Sequence, residues 1–405
     1  MASQFVETAS RHLLVINGGS SNVKFAVFAE DATANRILNG KIESIGTPNA
    51  RLTFHRNSDA SSERTTQPIE ALSPSDAALR LLEVLDREFG LSTIKGIGHR
   101  IVHGGAKLSE TCRIDDSVIA ELRRLAPLDP THLPSEIAIV EAMRLRLPGV
   151  PEVACFDTAF HRDLPKVAAM LPIPRHFAAE GVRKYGFHGL SYAYLLQELR
   201  NTAGDAAANG RVILIHLGGG ASMAAVKNGK CIDTTMAFTP TAGLVMGTRS
   251  GDLDPGVLIY LMREKGFSLD ALDRLVNDQS GLLGLSEVTA DMRELKALSA
   301  TDERAAEAIA IYCYQAKKWL GAMTAALNGL DTLVFAGGIG ENSSDVRRRI
   351  CEGLEFLGVR LNATKNDRNG TVISSEDSAI CVRVIHTDEE QMIVRELQRL
   401  LAVSN

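Results

Sequence analysis

The sequence lacks the features that mark several large protein classes. Its six cysteines, in 405 residues, form no CxxC pair, so neither a zinc site nor a disulfide framework is indicated. No apolar run comes close to the length of about 18 residues that a membrane-spanning helix needs. The first residues, MASQFVETAS, lack the basic and apolar regions of a secretory signal. We therefore expect a protein of the reducing cytosol that does not enter a membrane.

An excess of charge of one sign is also missing. The 44 Lys and Arg residues against 49 Asp and Glu give a formal net charge of -5, which offers no basic surface for nucleic acid or an anionic membrane. The charged fraction of 23% and the apolar fraction of 45% are typical of globular proteins. A chain of 405 residues exceeds what one hydrophobic core usually organises, so we predict two domains.

The beginning and the middle of the chain share one pattern. HLLVIN at residues 12–17 precedes the turn GGSSN and the apolar VKFAVF, and RVILIHL at residues 211–217 precedes GGGAS and MAAV. Each stretch is typical of a strand, a glycine turn and a second strand. This weak internal repeat predicts two related α/β domains that face one another across a cleft.

Three glycine-rich turns follow predicted strands: GGSSN, GGGAS and GGIGEN. Such turns expose backbone N–H groups and let a phosphate approach, so together they indicate a nucleotide site. The helix predicted after GGIGEN would add its positive end for an anion. The chain contains neither a GxxxxGK[ST] P-loop nor a GxGxxG fingerprint, which argues against Walker-type and Rossmann sites.

The remaining pattern predicts further regular elements. We predict amphipathic helices from Ser75 to about Phe89 and over ERAAEAIAIYCYQAKKWLGAMTAALNGL, the latter leading into the strand TLVFA. VRVIHTDEEQMIVRELQRLLAV predicts a strand, an acidic helix start and a last helix. Residues 51–75 are polar and turn-rich, and we predict an irregular excursion there.

Four residues are candidates for chemistry. Arg100 in GHRIVHGG and Arg249 in GTRSGDLDP lie beside glycines, and the planar fork of arginine suits carboxylate and phosphate oxygens. Asp157 follows a short apolar strand, where α/β enzymes often place functional groups. His188 in KYGFHGLS precedes a predicted helix and can donate to a transferring phosphoryl group. On this pattern alone, a structural salt bridge stays open for each arginine, and a role as a buried structural histidine stays open for His188.

Read in order, NGGSSNVK, GHRIVHGG, FDTAFH, YGFHGLS, HLGGGAS, GTRSGDLDP, DMREL, GGIGENS and TDEE resemble the acetate kinase family over nearly the whole chain. That family belongs to the acetate and sugar kinase, actin and hexokinase superfamily. The resemblance implies an α/β fold of two duplicated actin-like, ribonuclease H-like domains around a nucleotide cleft. It implies an acyl-substrate domain over 1–158, a nucleotide-binding domain over 159–387, and a terminal helix over 388–405 that packs back on the first domain.

The resemblance also implies an activity: reversible, in-line transfer of the ATP γ-phosphoryl group to acetate, giving acetyl phosphate and ADP. Mg²⁺ would be the cofactor, with Mn²⁺ as an alternative, and the assembly would be a homodimer. By resemblance the catalytic residues are Asp157, His188 and Arg249. Arg100 would bind the carboxylate, and the apolar pocket for the acyl methyl would consist of Val102, Leu128, Phe187 and Pro240. Metal ligands would be Asn17 and Glu389. ATP contacts would be Lys24, His216, Leu217, Gly218, Gly219, Gly220, Asp291, Met292, Arg293, Gly338, Ile339, Gly340, Glu341 and Asn342.

One departure from the family bears on the substrate. After APL the family commonly has histidine, asparagine and proline, whereas this chain has APLDPTHLPSEI, with Asp129 in place of the histidine. A carboxylate beside an anionic substrate is unfavourable unless it meets a cation or solvent. His132 is a candidate substitute for the missing histidine.

Three alternatives remain at this point. A propionate or butyrate kinase on the same scaffold is the nearest, because one methylene is worth only about 1–3 kcal/mol in an apolar pocket. A sugar kinase would need a carboxylate base and polar residues for several hydroxyls, and the two glycine-flanked arginines argue against it. A non-catalytic nucleotide-binding homologue is the third, since fold alone does not prove activity.

Overall fold

A computed structural model describes residues 11–19, 21–57 and 64–403. The leading segment MASQFVETAS and Ser20 of the first glycine turn, on which two of the predictions rest, lie outside the described residues. The chain divides into two compact units, Met1–Ala159 with Asp388–Asn405, and Phe160–Thr387. Within the described ranges, no helix has both the length and the apolar character needed to cross a membrane.

The first unit is built on a mixed sheet of eight strands. They are β1 (His12–Gly18), β2 (Asn22–Ala29), β3 (Arg36–Glu43), β4 (Arg51–Arg56), β5 (Arg64–Pro68), β6 (Ile94–Ile101), β7 (Cys112–Arg113) and β8 (Glu152–Phe156). The spatial order is β5-β4-β3-β2-β1-β6-β8-β7. The strand β1 pairs antiparallel with β2 and parallel with β6, and it is apolar on both faces because it lies inside the sheet.

Four helices cover this sheet: α1 (Pro74–Phe89), α2 (Asp116–Leu125), α3 (Leu133–Arg146) and, from the end of the chain, α16 (Glu389–Ala402). The predicted helix α1 begins at Ser73, whose Oγ accepts a hydrogen bond from Asp76 N, and its apolar face joins the core cluster of the sheet. The helix α16 packs closely on β6, where a Cβ on Gly98 would lie 2.5 Å from Ile393 Cγ2.

The second unit contains a five-stranded sheet. Its strands are β9 (Arg211–Leu217), β10 (Ala221–Lys227), β11 (Lys230–Thr234), β12 (Thr332–Ala336) and β13 (Cys381–Val384), in the spatial order β11-β10-β9-β12-β13. Its helices are α4 (Lys166–Ala169), α5 (Arg175–Ala179), α6 (Gly189–Ala203), α7 (Asp205–Asn209), α8 (Pro255–Lys265), α9 (Leu269–Asp278), α10 (Gly281–Ser286), α11 (Met292–Leu298), α12 (Glu303–Leu327), α13 (Gly337–Asn342), α14 (Ser344–Cys351) and α15 (Ala363–Asp367).

The two sheets share one topology, which confirms the predicted repeat and the α/β fold class. The strands β3-β2-β1-β6-β8 have the same order as β11-β10-β9-β12-β13, with two antiparallel pairings followed by two parallel ones in each. In both, the first glycine-rich turn connects the central strand to its antiparallel neighbour. The first sheet extends this arrangement with β4 and β5 at one edge and β7 at the other.

Two local predictions were wrong. The stretch over residues 51–75 is not irregular, because its described part forms the antiparallel pair β4 and β5 at the sheet edge. The strand β5 is largely exposed, so its sequence carries no apolar alternation that would reveal it. The third glycine segment, GGIGEN, is not an open turn but the short helix α13, which starts directly at the end of β12.

Candidate active site

A buried ion cluster surrounds Arg100 in the first unit. Arg100 lies near the end of β6, and Asp157 follows β8, the adjacent parallel strand. The guanidinium donates to Asp157 Oδ2 from Nη2 at 2.6 Å and from Nε at 3.1 Å, and its Nη1 lies 3.4 Å from Glu136 Oε1. Parallel strand ends therefore bring the predicted Arg100 and Asp157 together, while Glu136, on α3, was not predicted from the sequence.

Burial determines the protonation of this cluster. The side chains of Glu136 and Asp157 are 1% exposed, and that of Arg100 is 17% exposed. Burial raises the pKa of Glu136 to about 8, although the Arg100 guanidinium opposes the shift. Burial alone would lower the pKa of Arg100, but the carboxylates of Asp157 and Glu136 outweigh it and raise that pKa above its ordinary value. Arg100 thus stays charged, and part of its side chain stays exposed.

Asp129, the residue that replaces the family's histidine, lies just before α3. Its Oδ1 accepts hydrogen bonds from His132 N at 3.1 Å and pairs with His132 Nδ1 at 2.9 Å. Its Oδ2 is buried and has no hydrogen-bond partner among the described residues. Burial would raise the pKa of Asp129, but the hydrogen bonds from His132 outweigh burial and lower it. His132 therefore serves here as the partner of the Asp129 carboxylate.

The four residues predicted to line the acyl pocket are distributed over both units. Val102 is buried after β6, and its N–H donates to Glu136 Oε2 at 2.9 Å. Leu128 is partly buried in the turn that precedes Asp129. In the second unit Phe187 is buried, and the Pro240 carbonyl accepts from Arg249. Their joint role as an acyl pocket stays a prediction.

A second cluster forms around Gly220, in the turn between β9 and β10 of the second unit. A Cβ at Gly220 would lie 3.2 Å from His188 Nε2 and 3.6 Å from Arg249 Nη1. The rings of His188 and His216 stack at 4.4 Å between centroids with an interplanar angle of 26°. Arg249 Nη1 also donates to the Pro240 carbonyl at 3.0 Å, which fixes the guanidinium. His188 and Arg249, which are predicted to act on the phosphoryl group, therefore both lie beside Gly220.

His188 is held in place by a layer of buried polar groups. It adopts a left-handed conformation with φ of 58° directly before α6, which the chain permits only where surrounding contacts stabilise it. Its Nδ1 hydrogen-bonds Ser222 Oγ at 2.8 Å, and Ser222 in turn contacts the Tyr192 hydroxyl. His161 Nε2 hydrogen-bonds the Phe187 carbonyl at 2.9 Å. Burial lowers the pKa of His161 to about 4, so this ring is neutral and donates from Nε2.

Adding a methyl group at Gly220 is expected to disturb this cluster selectively. We expect Gly220→Ala to lower kcat by about tenfold or more, because a contact of 3.2 Å pushes His188 away from its position. Gly219→Ala is the matched control, since nothing lies within 4 Å of the Cβ it would add. Its effect should be confined to the KM for ATP. Equal losses of kcat in the two variants, measured by steady-state kinetics, would contradict this assignment.

A cavity of about 530 Å³ in the second unit is the candidate nucleotide site. Residues of the β9–β10 turn, of α11 and of α13 form its walls, and three of them are glycines of the predicted nucleotide turns. Its lining includes eight predicted ATP contacts: Gly218, Gly219, Asp291, Met292, Arg293, Gly338, Ile339 and Asn342. It also includes Ala290, Lys296 and Ser343, which were not predicted.

Six other predicted ATP contacts do not line this cavity. Leu217 and Gly340 are buried in the fold, and His216 and Gly220 belong to the histidine cluster. Glu341 is occupied by the backbone, because its Oε1 accepts from Gly337 N at 2.9 Å and from Thr387 N at 3.0 Å. Lys24 lies in the first unit, on the wall of a separate cavity of about 200 Å³ that also contacts Arg36, Lys41 and Glu390.

Arg347, on α14, holds α13 in place through hydrogen bonds, and it was not predicted from the sequence. Its side chain is fully buried on α14, and Nη1 donates to the carbonyls of Gly340 at 2.7 Å and Glu341 at 3.0 Å. Nε and Nη2 donate to Asn366 and Asn369 at 2.6–2.8 Å. All five acceptors are neutral oxygens, so Arg347 connects the end of α13 to the segment around α15 through hydrogen bonds alone.

Asn17 and Glu389, the predicted metal ligands, meet in the first unit. Asn17 Nδ2 donates to Glu389 Oε2 at 3.2 Å, joining the end of β1 to the start of α16. Amide and carboxylate oxygens are ligands that Mg²⁺ prefers, and Mg²⁺ commonly takes its other ligands from water and substrate phosphates. No group of three or more His, Cys, Asp or Glu side chains within the described ranges is arranged to hold a metal. The pair offers oxygen ligands of the right kind, and its role as a metal site stays a prediction.

The comparisons with known proteins extend over nearly the whole chain. Residues 12–395 match the family model described as the Acetokinase family. The chain belongs to the acetokinase family. This confirms the resemblance found in the sequence motifs. Among its relatives in the family is an acetate kinase of Rhodopseudomonas palustris, 43% identical over 394 residues, which are 96% of this chain and 98% of the relative. A propionate kinase of Citrobacter rodentium is 39% identical over 397 residues, covering 96% and 97% of the two chains.

Solved structures of the acetokinase family share the fold. The Porphyromonas gingivalis acetate kinase superposes with a TM-score of 0.88 at 37% identity, covering 97% of this chain and 100% of the other. A propionate kinase from Francisella tularensis gives a TM-score of 0.90 at 36% identity, with 96% and 99% covered. Acetate and propionate kinases are thus about equally similar in structure, so similarity alone does not choose between the two acids.

Proposed function

We propose that the chain transfers the γ-phosphoryl group of ATP to acetate by direct in-line displacement, giving acetyl phosphate and ADP. The observation that carries this proposal is the meeting of His188 and Arg249 at Gly220, in the turn that also contributes Gly218 and Gly219 to the 530 Å³ cavity. Two cationic or hydrogen-bond-donating groups beside a glycine-walled cavity are what a transferring phosphoryl group requires. Membership of the acetokinase family supports the same reaction.

In the first unit we assign binding of the acceptor to Arg100. A carboxylic acid with an ordinary pKa of about 4 is already ionised at neutral pH, so the nucleophile needs no general base. Asp157 holds the Arg100 guanidinium through two hydrogen bonds to one oxygen. We therefore propose that Asp157 orients Arg100 and does not remove a proton from the acceptor.

In the second unit we assign stabilisation of the transition state to Arg249 and His188. Phosphoryl transfer spreads negative charge over the equatorial oxygens of a metaphosphate-like group, and positioned donors stabilise that charge. The Pro240 carbonyl and the Ser222 hydroxyl fix the two side chains beforehand, so little reorganisation is needed during the reaction. ATP itself would lie in the cavity walled by the glycine segments.

We propose that Asn17 and Glu389 hold Mg²⁺, with Mn²⁺ as an alternative. When bound, the ion would neutralise part of the negative charge of the phosphate groups. The Asn17 amide and the Glu389 carboxylate carry the oxygen ligands that such an ion takes from a protein. The six cysteines are free thiols, which agrees with the reducing cytosol, and that location stays a prediction.

We also propose a homodimer, with α8 at its interface. This helix has the apolar sequence PGVLIYLM, yet it buries none of its residues within the chain. Val257, Ile259, Tyr260 and Met262 are all exposed on it. Several exposed apolar side chains on one helix are typical of a protein contact, and a second copy of the same chain can cover them with the same helix around a two-fold axis.

Propionate is the alternative acceptor, because both acetate and propionate kinases are relatives of this chain. The purified protein should form an acyl phosphate from ATP, Mg²⁺ and the acid, detected as a hydroxamate after trapping with hydroxylamine. We expect the highest kcat/KM for acetate among acetate, propionate and butyrate. A higher value for propionate would keep the mechanism and change the acceptor. Nucleotide binding without hydroxamate from any acid would contradict the proposed activity and favour a non-catalytic homologue.

A further inference from the structure

Glu136 contacts two of the first-unit groups assigned to the acceptor. Its Oε1 faces Arg100 Nη1 at 3.4 Å, and its Oε2 accepts from Val102 N at 2.9 Å. The side chain is almost fully buried on α3, so water does not compete for these contacts. Glu136 is thus a buried carboxyl group next to the guanidinium to which the proposed function assigns the external carboxylate.

The charged groups that act most strongly on Glu136 come from three segments. Arg100 on β6 attracts its ionised form, while Asp157 after β8 and Asp129 before α3 repel it. The backbone N–H of Val102 also favours the ionised form. Burial works against ionisation and is the largest of these effects, so the carboxyl group is neutral over much of the physiological pH range.

We propose that Glu136 is a built-in competitor of the acceptor: its neutral form leaves Arg100 to the substrate carboxylate, and its ionised form takes Arg100 for itself. This inference rests on the proposed function, because it assigns to Arg100 the binding of a short-chain carboxylate. Two further carboxylates cannot share one partly buried guanidinium that already pairs with Asp157 without strong mutual repulsion. The neutral carboxyl group, in contrast, can donate a hydrogen bond to the acceptor.

The consequence is a pH-dependent affinity for the acid and not for the nucleotide. Acetate stays ionised throughout the range above pH of about 6, so its own titration contributes nothing there. Glu136 loses its proton near pH of about 8, and each further pH unit then lowers the fraction of competent enzyme up to tenfold. The KM for acetate should rise accordingly, while the KM for MgATP should not follow this change.

The test is the KM for acetate from about pH 6 to about pH 9.5, measured for the wild type and for Glu136→Gln. Glutamine has the shape of the neutral acid and cannot ionise, so this variant should keep a low KM for acetate up to the highest pH. Glu141→Gln is the matched control, a more exposed carboxylate on the same helix α3 that pairs with Arg123. It should reproduce the wild-type profile.

A second variant makes the test independent of any damage at position 136. Asp129→Asn removes a negative charge that disfavours ionised Glu136, and it should therefore move the rise in KM to lower pH. The inference is overturned if Glu136→Gln retains the wild-type rise or if Asp129→Asn moves it to higher pH. Failure of the wild type to form acyl phosphate from any acid at any pH would instead refute the proposed function itself.

Discussion

Replacing Arg249 with alanine is expected to lower kcat by about 10²- to 10³-fold, with a much smaller change in the KM for ATP. The guanidinium lies 3.6 Å from the position of a Cβ on Gly220 and is fixed by the Pro240 carbonyl, outside the wall of the nucleotide cavity. Arg249 is therefore expected to stabilise the charge that develops during transfer and not to contribute to nucleotide binding in the ground state. Steady-state kinetics with saturating acid measure the two constants separately.

Arg304→Ala is a suitable control for that experiment. Arg304 is exposed and pairs with Asp302 and Glu287 at the surface, so its removal should leave both kinetic constants close to those of the wild type. A near-wild-type kcat in Arg249→Ala would show that the residue has a structural role. A large rise in the KM for ATP with unchanged kcat would assign Arg249 to nucleotide binding.

Replacing Arg347 with methionine is expected to be the most destabilising substitution considered for the second unit. Methionine fills a similar volume but leaves the carbonyls of Gly340, Glu341 and Asn366 buried without their donor. Each unsatisfied group costs about 1–3 kcal/mol, so we expect the unfolding free energy to fall by about 3 kcal/mol or more. The midpoint of thermal unfolding should fall by about 6–12 °C for a unit of this size.

The neighbouring Arg348→Met variant separates this effect from the loss of a positive charge. Arg348 lies on the same helix α14, but its side chain is 54% exposed and its pairing with Asp345 is screened by water. We expect a change within about 0.5 kcal/mol there. Because Arg347 fastens α13, its substitution should also raise the KM for ATP. Equal midpoints for the two variants would contradict the role assigned to Arg347.

The strands and glycine turns were predictable because local patterns specify them. The central strands β1, β9 and β12 each contain a short apolar run, LLVI, VILI and LVFA, and the glycine turns after β1 and β9 follow directly. Parallel strands end at the same edge of a sheet, so Arg100 and Asp157 could be expected to meet once their strands were recognised. The strands β4 and β5 were not predicted from the sequence, and β5 lies at the exposed edge, where no apolar alternation is needed.

The supporting residues were not predictable in the same way. Arg347 belongs to the segment SSDVRRRICEGL, where its sequence is that of a solvated helix, and only the tertiary fold buries it against α13 and α15. Glu136 does stand out in the sequence, because it is a lone acid within LPSEIAIV, next to apolar residues on a helix. A charge in such a position is either exposed or paired inside the fold, and the choice depends on Arg100, which lies on another element.

The proposed transfer is tested most directly by following the carboxylate oxygens of the acceptor into the product. The protein should be incubated with ATP, Mg²⁺ and acetate labelled with ¹⁸O in both carboxylate oxygens, and the product cleaved with hydroxylamine at its carbonyl carbon. Direct attack of the carboxylate on the γ-phosphorus predicts one ¹⁸O atom in the released phosphate, visible as an isotope shift in its ³¹P resonance. Phosphate that carries no ¹⁸O, or that forms equally fast without acetate, would contradict the proposed transfer.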